Sequence, residues 1–193
     1  MTNIQIIPTE ITSERLILRK FQQGDEISLF HEYCGDIELS RFLQRAPHQN
    51  IAQTRSSLEL WAREHWEQQH PNFAWVISHK ETNLAMGLLY FFTREVSAHE
   101  FSTHESFGEI HFGIGAKFQK QGYMVEAVHA VIDYLRHHSS VRTIQTFCDV
   151  EHTASQKVLL KSGFQQKEYL KKWAKFPMLG EEARDCIAYQ IEW

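Results

Sequence analysis

The sequence predicts an α/β chain: a mixed sheet, mostly antiparallel, with helices on both faces. Three observations carry this. In the stretch from Phe107 to His138 the apolar period switches from two to between three and four. Ile110, Phe112 and Ile114 alternate with Glu109, His111 and Gly113, which reads as a strand. Val125, Val128, Val131, Ile132 and Leu135 then recur at helical steps with no Gly or Pro among them, which reads as a helix. The second observation is a hairpin signal, two apolar runs (Phe73 to His79 and Leu84 to Phe92) joined by the polar turn Lys80 to Asn83. The third is the order of elements along the whole chain: βαα, then βββ, then αβ, then αββ.

Taken in order, Arg15 to Phe21 alternates well enough for a first strand. Gly24-Asp25 starts a helix carrying Ile27, Leu29, Phe30 and Tyr33. Phe42 to Pro47 reads as loop. Ile51 to Gln69 reads as one long helix, stopped by Pro71-Asn72. The hairpin follows. Glu95 to Ser106 is polar apart from Phe101 and is expected to be an excursion from the fold. Strand Phe107 to Gly115 and helix Tyr123 to His137 come next, then strand Thr143 to Asp149. A helix from about Thr153 to Lys161 stops at Ser162-Gly163. Phe164 to Trp173 and Asp185 to Ile191 are the last strands, linked by Lys172 to Gly180. No repeat, low-complexity tract or Gly/Pro/Ser linker interrupts this order, so one domain over 1–193 is expected.

Composition removes several function classes. A net charge of −4 argues against general nucleic-acid binding, which needs a basic face. No stretch approaches the roughly 20 apolar residues of a membrane span. The start, Met-Thr-Asn-Ile-Gln, has neither the basic nor the apolar region of a signal peptide. Cys34, Cys148 and Cys186 lie far apart, which suits buried thiols in a reducing cytoplasm. The 12 histidines suggest a metal, but their spacings are wrong: His65 and His70 are five apart, His137 and His138 adjacent, so no metal is expected. Trp61, Trp66, Trp75 and Trp173 read as packing anchors in the core or on the rim of an acceptor site. Trp61 and Trp66 do not share a helix face cleanly.

Between the strand and helix of the central stretch lies a loop whose Gly122 falls at the helix start. A helix N-terminus offers unpaired N–H groups and the positive end of the dipole, so this loop is a candidate anion site. It is not a phosphate-binding loop of the Gly-Lys-Ser/Thr kind, nor a Gly-x-Gly-x-x-Gly fingerprint. What remains, Gln119-x-x-Gly122-x-Met124, resembles the Gln/Arg-x-x-Gly-x-Gly/Ala loop of the GNAT acetyltransferases. Glu109-Ile-His-Phe-Gly-Ile114 is similar to the strand before that loop, and Tyr123-Met-Val-Glu126 to the helix start after it. The run Asp149 to Phe164 resembles the second half of that family's coenzyme site. Thr12-Ser-Glu-Arg15-Leu-Ile-Leu-Arg19 resembles the opening of the branch that acetylates ribosomal-protein alanine or serine N-termini.

The resemblance implies the GNAT fold, acetyl-CoA as cosubstrate, and acetyl transfer to a primary amine by direct attack, without a covalent enzyme intermediate. The acceptor, a protein N-terminus or a small molecule, is left open, as is the choice between monomer and homodimer. A second reading stands beside it, a non-catalytic module of the same fold that only holds acyl-CoA. In the family the backbone at Phe112, Gly113 and Ile114 would pair with the pantetheine arm, and Gln119, Lys120, Gln121, Gly122, Tyr123 and Met124 would cradle the pyrophosphate. Met124 stands where the family has Gly or Ala, and crowds the phosphates unless it turns to the core. Lys120 either adds charge there or is a solvated lysine. His152 replaces an asparagine that binds pantetheine; the alternative is an exposed strand-end histidine. Ser155 matches a serine that protonates the departing thiolate, or else caps its helix. Leu159 holds the position of a tyrosine acid in other branches. Glu109 and His111 share a strand face and either carry the amine's proton away or merely face solvent.

Overall fold

A computed structural model describes residues 8–95 and 106–193. Residues 96–105, most of the expected polar excursion, lie outside that range. The first hairpin is β1 (Ile11–Thr12) with β2 (Leu16–Arg19). The expected strand over Arg15 to Phe21 is thus shorter. By Phe21 the backbone N–H already donates to Ala62 O (2.9 Å) in the helical layer. Arg19 is turned inward, with Nη1 2.7 Å from Asp25 Oδ2, and this ion pair is almost wholly buried.

Helix α1 (Asp25–Leu29) continues into a π-helical turn at Phe30–Cys34. A short α2 (Ile37–Ser40) follows, its start capped by the Asp36 side chain, which accepts from Leu39 N–H at 2.9 Å. One turn is too brief to show periodicity, so the sequence leaves it unmarked. The long helix is broken: α3 (Ile51–Glu59), a second π-helical turn (Leu60–Glu64) and α4 (His65–Glu67). A π turn inserts one residue without a helix breaker, so composition does not announce it.

β3 (Phe73–His79) and β4 (Ala85–Glu95) form the hairpin, and β5 (Ser106–Ile114) pairs antiparallel with β4. Then come α5 (Tyr123–His138), β6 (Thr143–Asp149), α6 (Thr153–Lys161), β7 (Gln165–Ala174) and β8 (Arg184–Glu192). The eight strands make one sheet in the order β1-β2-β3-β4-β5-β6-β8-β7. Every neighbouring pair is antiparallel except β5–β6.

Both faces are covered, as expected. One core joins Phe73, Trp75, Ile77, Ile110 and Ile144 to α5 and α6. The other joins Ala74, Val76, Ala85 and Leu88 to the α1 and α3 layer through Leu29, Tyr33 and Leu58. Burial on both sides explains why β3 lacks polar alternation. The buried stripe of α5 is Met124, Ala127, Val128, Val131, Ile132 and Leu135. Val125 is only half-buried and Met124 takes its place in the core, which corrects the expected stripe by one position. Apart from Ala127, each such side chain contributes about 1.5–3 kcal/mol by leaving water. The three cysteines are free and buried. Trp75 and Trp66 are core anchors whose Nε1–H groups donate to Thr9 O and Ala74 O. Among the described residues no helix is long and apolar enough to cross a membrane, and no three His, Cys, Asp or Glu side chains gather as metal ligands.

Candidate active site

The sheet opens where its one parallel pair begins to part. β4 and β5 stay in register over nine residue pairs, from Gly87↔Ile114 to Glu95↔Ser106. β5 and β6 share two, Gly108↔Ile144 and Glu109↔Gln145. Beyond them Thr146 Oγ1 donates to Ile110 O at 2.6 Å, and then the strands separate. The carbonyl of Gly113 faces β4, where a Cβ on Gly87 would run into it. Since backbone polar groups alternate in direction along a strand, those of Phe112 and Ile114 face the gap. Phe112 and the Ile114 N–H are therefore open toward the gap, while Ile114 O accepts from the Gln119 side chain. Gly113 differs from the expectation: its backbone is spent on β4, and its importance is the missing side chain. A Cβ there would overlap the Tyr33 hydroxyl, and one on Gly115 would sit 2.7 Å from Glu32 O.

The gap ends at the loop before α5. Lys120 and Gly122 both have positive φ (62° and 84°), and Gly122 is the residue before the helix. The first bond of the helix is Glu126 N–H to Gly122 O, so the N–H groups from Lys120 to Val125 have no acceptor among the described residues. Consecutive free N–H groups at a helix start form an anion cradle. Met124 is 6% exposed, so its side chain turns into the core and only its N–H faces the cradle. Lys120 is exposed. Gln119 Nε2 donates to Ile114 O at 3.4 Å, and Gln121 Nε2 to Lys117 O at 2.8 Å, which braces the loop. Arg15 is a site residue that sequence reasoning did not single out. Its Nη1 donates to Gln121 O (3.1 Å), its guanidinium lies 4.4 Å over the Tyr123 ring, and it pairs with Glu126 at 2.7 Å. Burial pushes the Glu126 carboxyl up, but hydrogen bonds from Arg15 and Ser13 outweigh this and hold it below its ordinary value.

On the β6 side, His152 precedes α6 and its ring stacks on Phe42 at 4.6 Å. Burial pushes the ring's pKa down against the pull of Asp149, so it is a neutral wall rather than an exposed strand-end group. Ser155 does not cap α6; His152 occupies that position, without a side-chain capping bond. The Ser155 hydroxyl instead hydrogen-bonds the sulfur of Cys148, a thiol that burial pushes up to about 12.

Glu109 and His111 do come together on the face opposite α5. His111 Nε2 lies 2.6 Å from Glu109 Oε1, and Arg94 Nε and Nη2 donate to the same carboxylate at 3.0 and 3.2 Å. Burial raises the Glu109 pKa, yet the bonds and charges of His111 and Arg94 win and hold it at about 2. Such a carboxylate is a fixed anion at neutral pH and a weak proton acceptor. It can orient His111, whose other ring nitrogen has no hydrogen-bond partner among the described residues. Around the pair runs a line of rings in edge-to-face contact: Trp61, Phe92, His111, Phe147 and Trp173. Trp61 and Trp173 thus belong to this rim. Arg94 and the rings come from strands remote in sequence, so no local motif marks them.

A split sheet whose gap leads into a helix-start anion cradle is the architecture of a coenzyme A-dependent acyltransferase. The chain belongs to the acetyltransferase (GNAT) domain family, which matches residues 15–165. It is 25% identical over 163 residues to an uncharacterized N-acetyltransferase, p20, of Bacillus licheniformis, covering 84% of this chain and 86% of that one. The fold is shared with a GNAT-family acetyltransferase from Bacillus anthracis (TM-score 0.75, 23% identity, 95% and 98% of the two chains). It is shared also with RimL, a ribosomal alpha-N-protein acetyltransferase in complex with coenzyme A (TM-score 0.72, 19% identity, 98% of each chain).

Proposed function

We propose that this protein transfers the acetyl group of acetyl-CoA to a primary amine in the gap between β5 and β6. The observation that carries the reading is the gap itself: an open strand edge at Phe112 and at the Ile114 N–H, leading into a loop of unspent N–H groups. The pantetheine arm would add as a short strand beside Phe112 and Ile114. The pyrophosphate would take the N–H groups of Gln121 to Met124, with Gln119 bracing the loop and Lys120 adding charge from solvent. His152 would wall the arm. The amine would approach from the face of His111, which takes its proton while Glu109 fixes the ring. As the N–C bond forms, the C–S bond breaks and the thiolate takes up a proton, from Ser155 or from water. The aromatic rim would receive the acceptor. A ribosomal-protein N-terminus is one candidate, in line with the resemblance of the first strand and the fold shared with RimL; a small amine is the other. A cytoplasmic setting suits three free thiols.

Calorimetry with coenzyme A, followed by thiol release from acetyl-CoA over a panel of peptides and small amines, tests this. Heat of binding with thiol release is expected. Binding with no release on any amine would favour the rival reading, a module that holds acyl-CoA without turnover. No binding would remove both.

A further inference from the structure

Tyr33 lies far from every motif named in the sequence, yet its hydroxyl lies over Gly113, on the strand that borders the gap. It sits in the π-helical turn Phe30–Cys34, a kind of turn often found at functional sites. That turn is pressed onto the end of β5. The glycines Gly113 and Gly115 make room for it, the first beneath the Tyr33 ring and hydroxyl, the second beneath Glu32 O. Gly113 presents to Tyr33 the same strand face that carries Glu109 and His111. Its neighbours Phe112 and Ile114 turn their backbone toward the gap, with only Ile114 O taken, by Gln119. The hydroxyl is thus poised at the one residue between them, on the side from which the amine approaches.

The hydroxyl oxygen takes a hydrogen bond from the Arg45 guanidinium, which leaves its own proton free to be given; the side chain is 4% exposed. Arg45 lies 5.5 Å over the ring, and its Nη1 is held by Cys34 O and Ala46 O at 3.1 and 3.2 Å, so it is a fixed neighbour. Burial pushes the phenol up to about 12, with Arg45 pulling the other way. A thiol ordinarily titrates near ~8.5, so proton transfer from this phenol to a departing thiolate runs uphill. The group is suited to giving a hydrogen bond rather than a proton.

We propose that Tyr33 is a catalytic residue whose phenolic O–H donates a hydrogen bond to the carbonyl oxygen of the thioester as negative charge gathers there. This rests on the acetyl-transfer reading above. It assigns electrostatic stabilisation to a side chain of the helical layer, in addition to a backbone N–H of β5.

The test is Tyr33→Phe, which removes one oxygen and keeps the ring. Loss of one such donor lowers kcat by about 10²–10³-fold. The dissociation constant of coenzyme A and the shape of the pH–rate profile are expected to stay as in the parent. The infrared carbonyl band of bound acetyl-CoA, recorded without acceptor, gives a second readout that does not depend on turnover. It is expected at lower wavenumber in the parent than in Tyr33→Phe. A variant with kcat within twofold of the parent, or an unmoved carbonyl band, overturns the assignment while leaving acetyl transfer intact. A kcat loss matched by loss of coenzyme affinity also overturns it. A parent protein that binds coenzyme but acetylates nothing removes the transfer reading and this one together.

Discussion

The two sides of β5 make opposite use of the same backbone. Toward β4 its hydrogen bonds run in register over nine residue pairs. Toward β6 the ladder stops after two. The first side shows what a strand does when its partner is a chain neighbour with matching pattern. The second shows a strand left half-paired, which a finished sheet avoids unless something else takes up the polar groups. A parallel neighbour reached through α5 can diverge without breaking a hairpin, so the gap costs the fold little. The closed side is rigid because Gly87 lets β4 approach the Gly113 carbonyl, and that rigidity fixes the edge of the open side.

The largest way to break the comparison is Gly87→Val. Its side chain would meet backbone, with Ile114 Cα 2.9 Å from the new Cβ, and backbone has nowhere to go. A loss of about 3 kcal/mol or more is expected, read as a fall in Tm of roughly 6–12 °C by calorimetry. An unmoved Tm would mean the closed side is not the rigid one. Next is Glu109→Gln, which frees the ring of His111 and leaves Arg94 without its anion. Steady-state kinetics are expected to show kcat down by about 10²-fold, with the KM for acetyl-CoA changed far less. An unchanged kcat would place Glu109 outside the reaction. Thr146→Val is smaller. It removes the 2.6 Å bond to Ile110 O at the fork of the gap, costing about 1–2 kcal/mol in denaturant unfolding.

The smallest effect is in pH. Glu109 has a depressed folded-state pKa of about 2, against an ordinary 4.5, so its stabilisation is complete above about 4.5. It is lost as pH falls toward 2. The stability gap between parent and Glu109→Gln should therefore be flat above 4.5 and close below it. His48 acts with the opposite protonation: burial, then Arg45, lower it to about 4, so folding keeps it neutral. Its part of the stability falls between about 6.5 and 4, and a His48→Gln variant should lack that slope in urea titrations at fixed pH.

Most of the fold was legible in the chain because each element has a period of its own. The α5 stripe and the β3–β4 hairpin needed only counting, and the one-place shift from Val125 to Met124 arises because a period cannot fix where its buried arc is centred. The π-helical turns were not legible, since Leu60 to Glu64 holds no residue that forbids an ordinary helix. Of the site, the loop around Gly122 and the Glu109–His111 pair are local and could be read. Arg15, Tyr33, Arg94 and Phe42 were not, since each is brought in by a contact across the fold. The spacing Gly113-x-Gly115 was the available signal for Tyr33. Two glycines at the end of a strand ask what approaches so closely.

The Glu126 carboxylate takes hydrogen bonds from Ser13 Oγ, from the Arg15 N–H and from Arg15 Nε, each at 2.7 Å. It thereby staples the leading edge of the sheet to the helix that begins at the cradle. Occupying the cradle and docking β1–β2 are then one coupled equilibrium: whatever seats an anion there also protects the chain's opening hairpin from fraying, and a protein short of coenzyme would unravel first at that end.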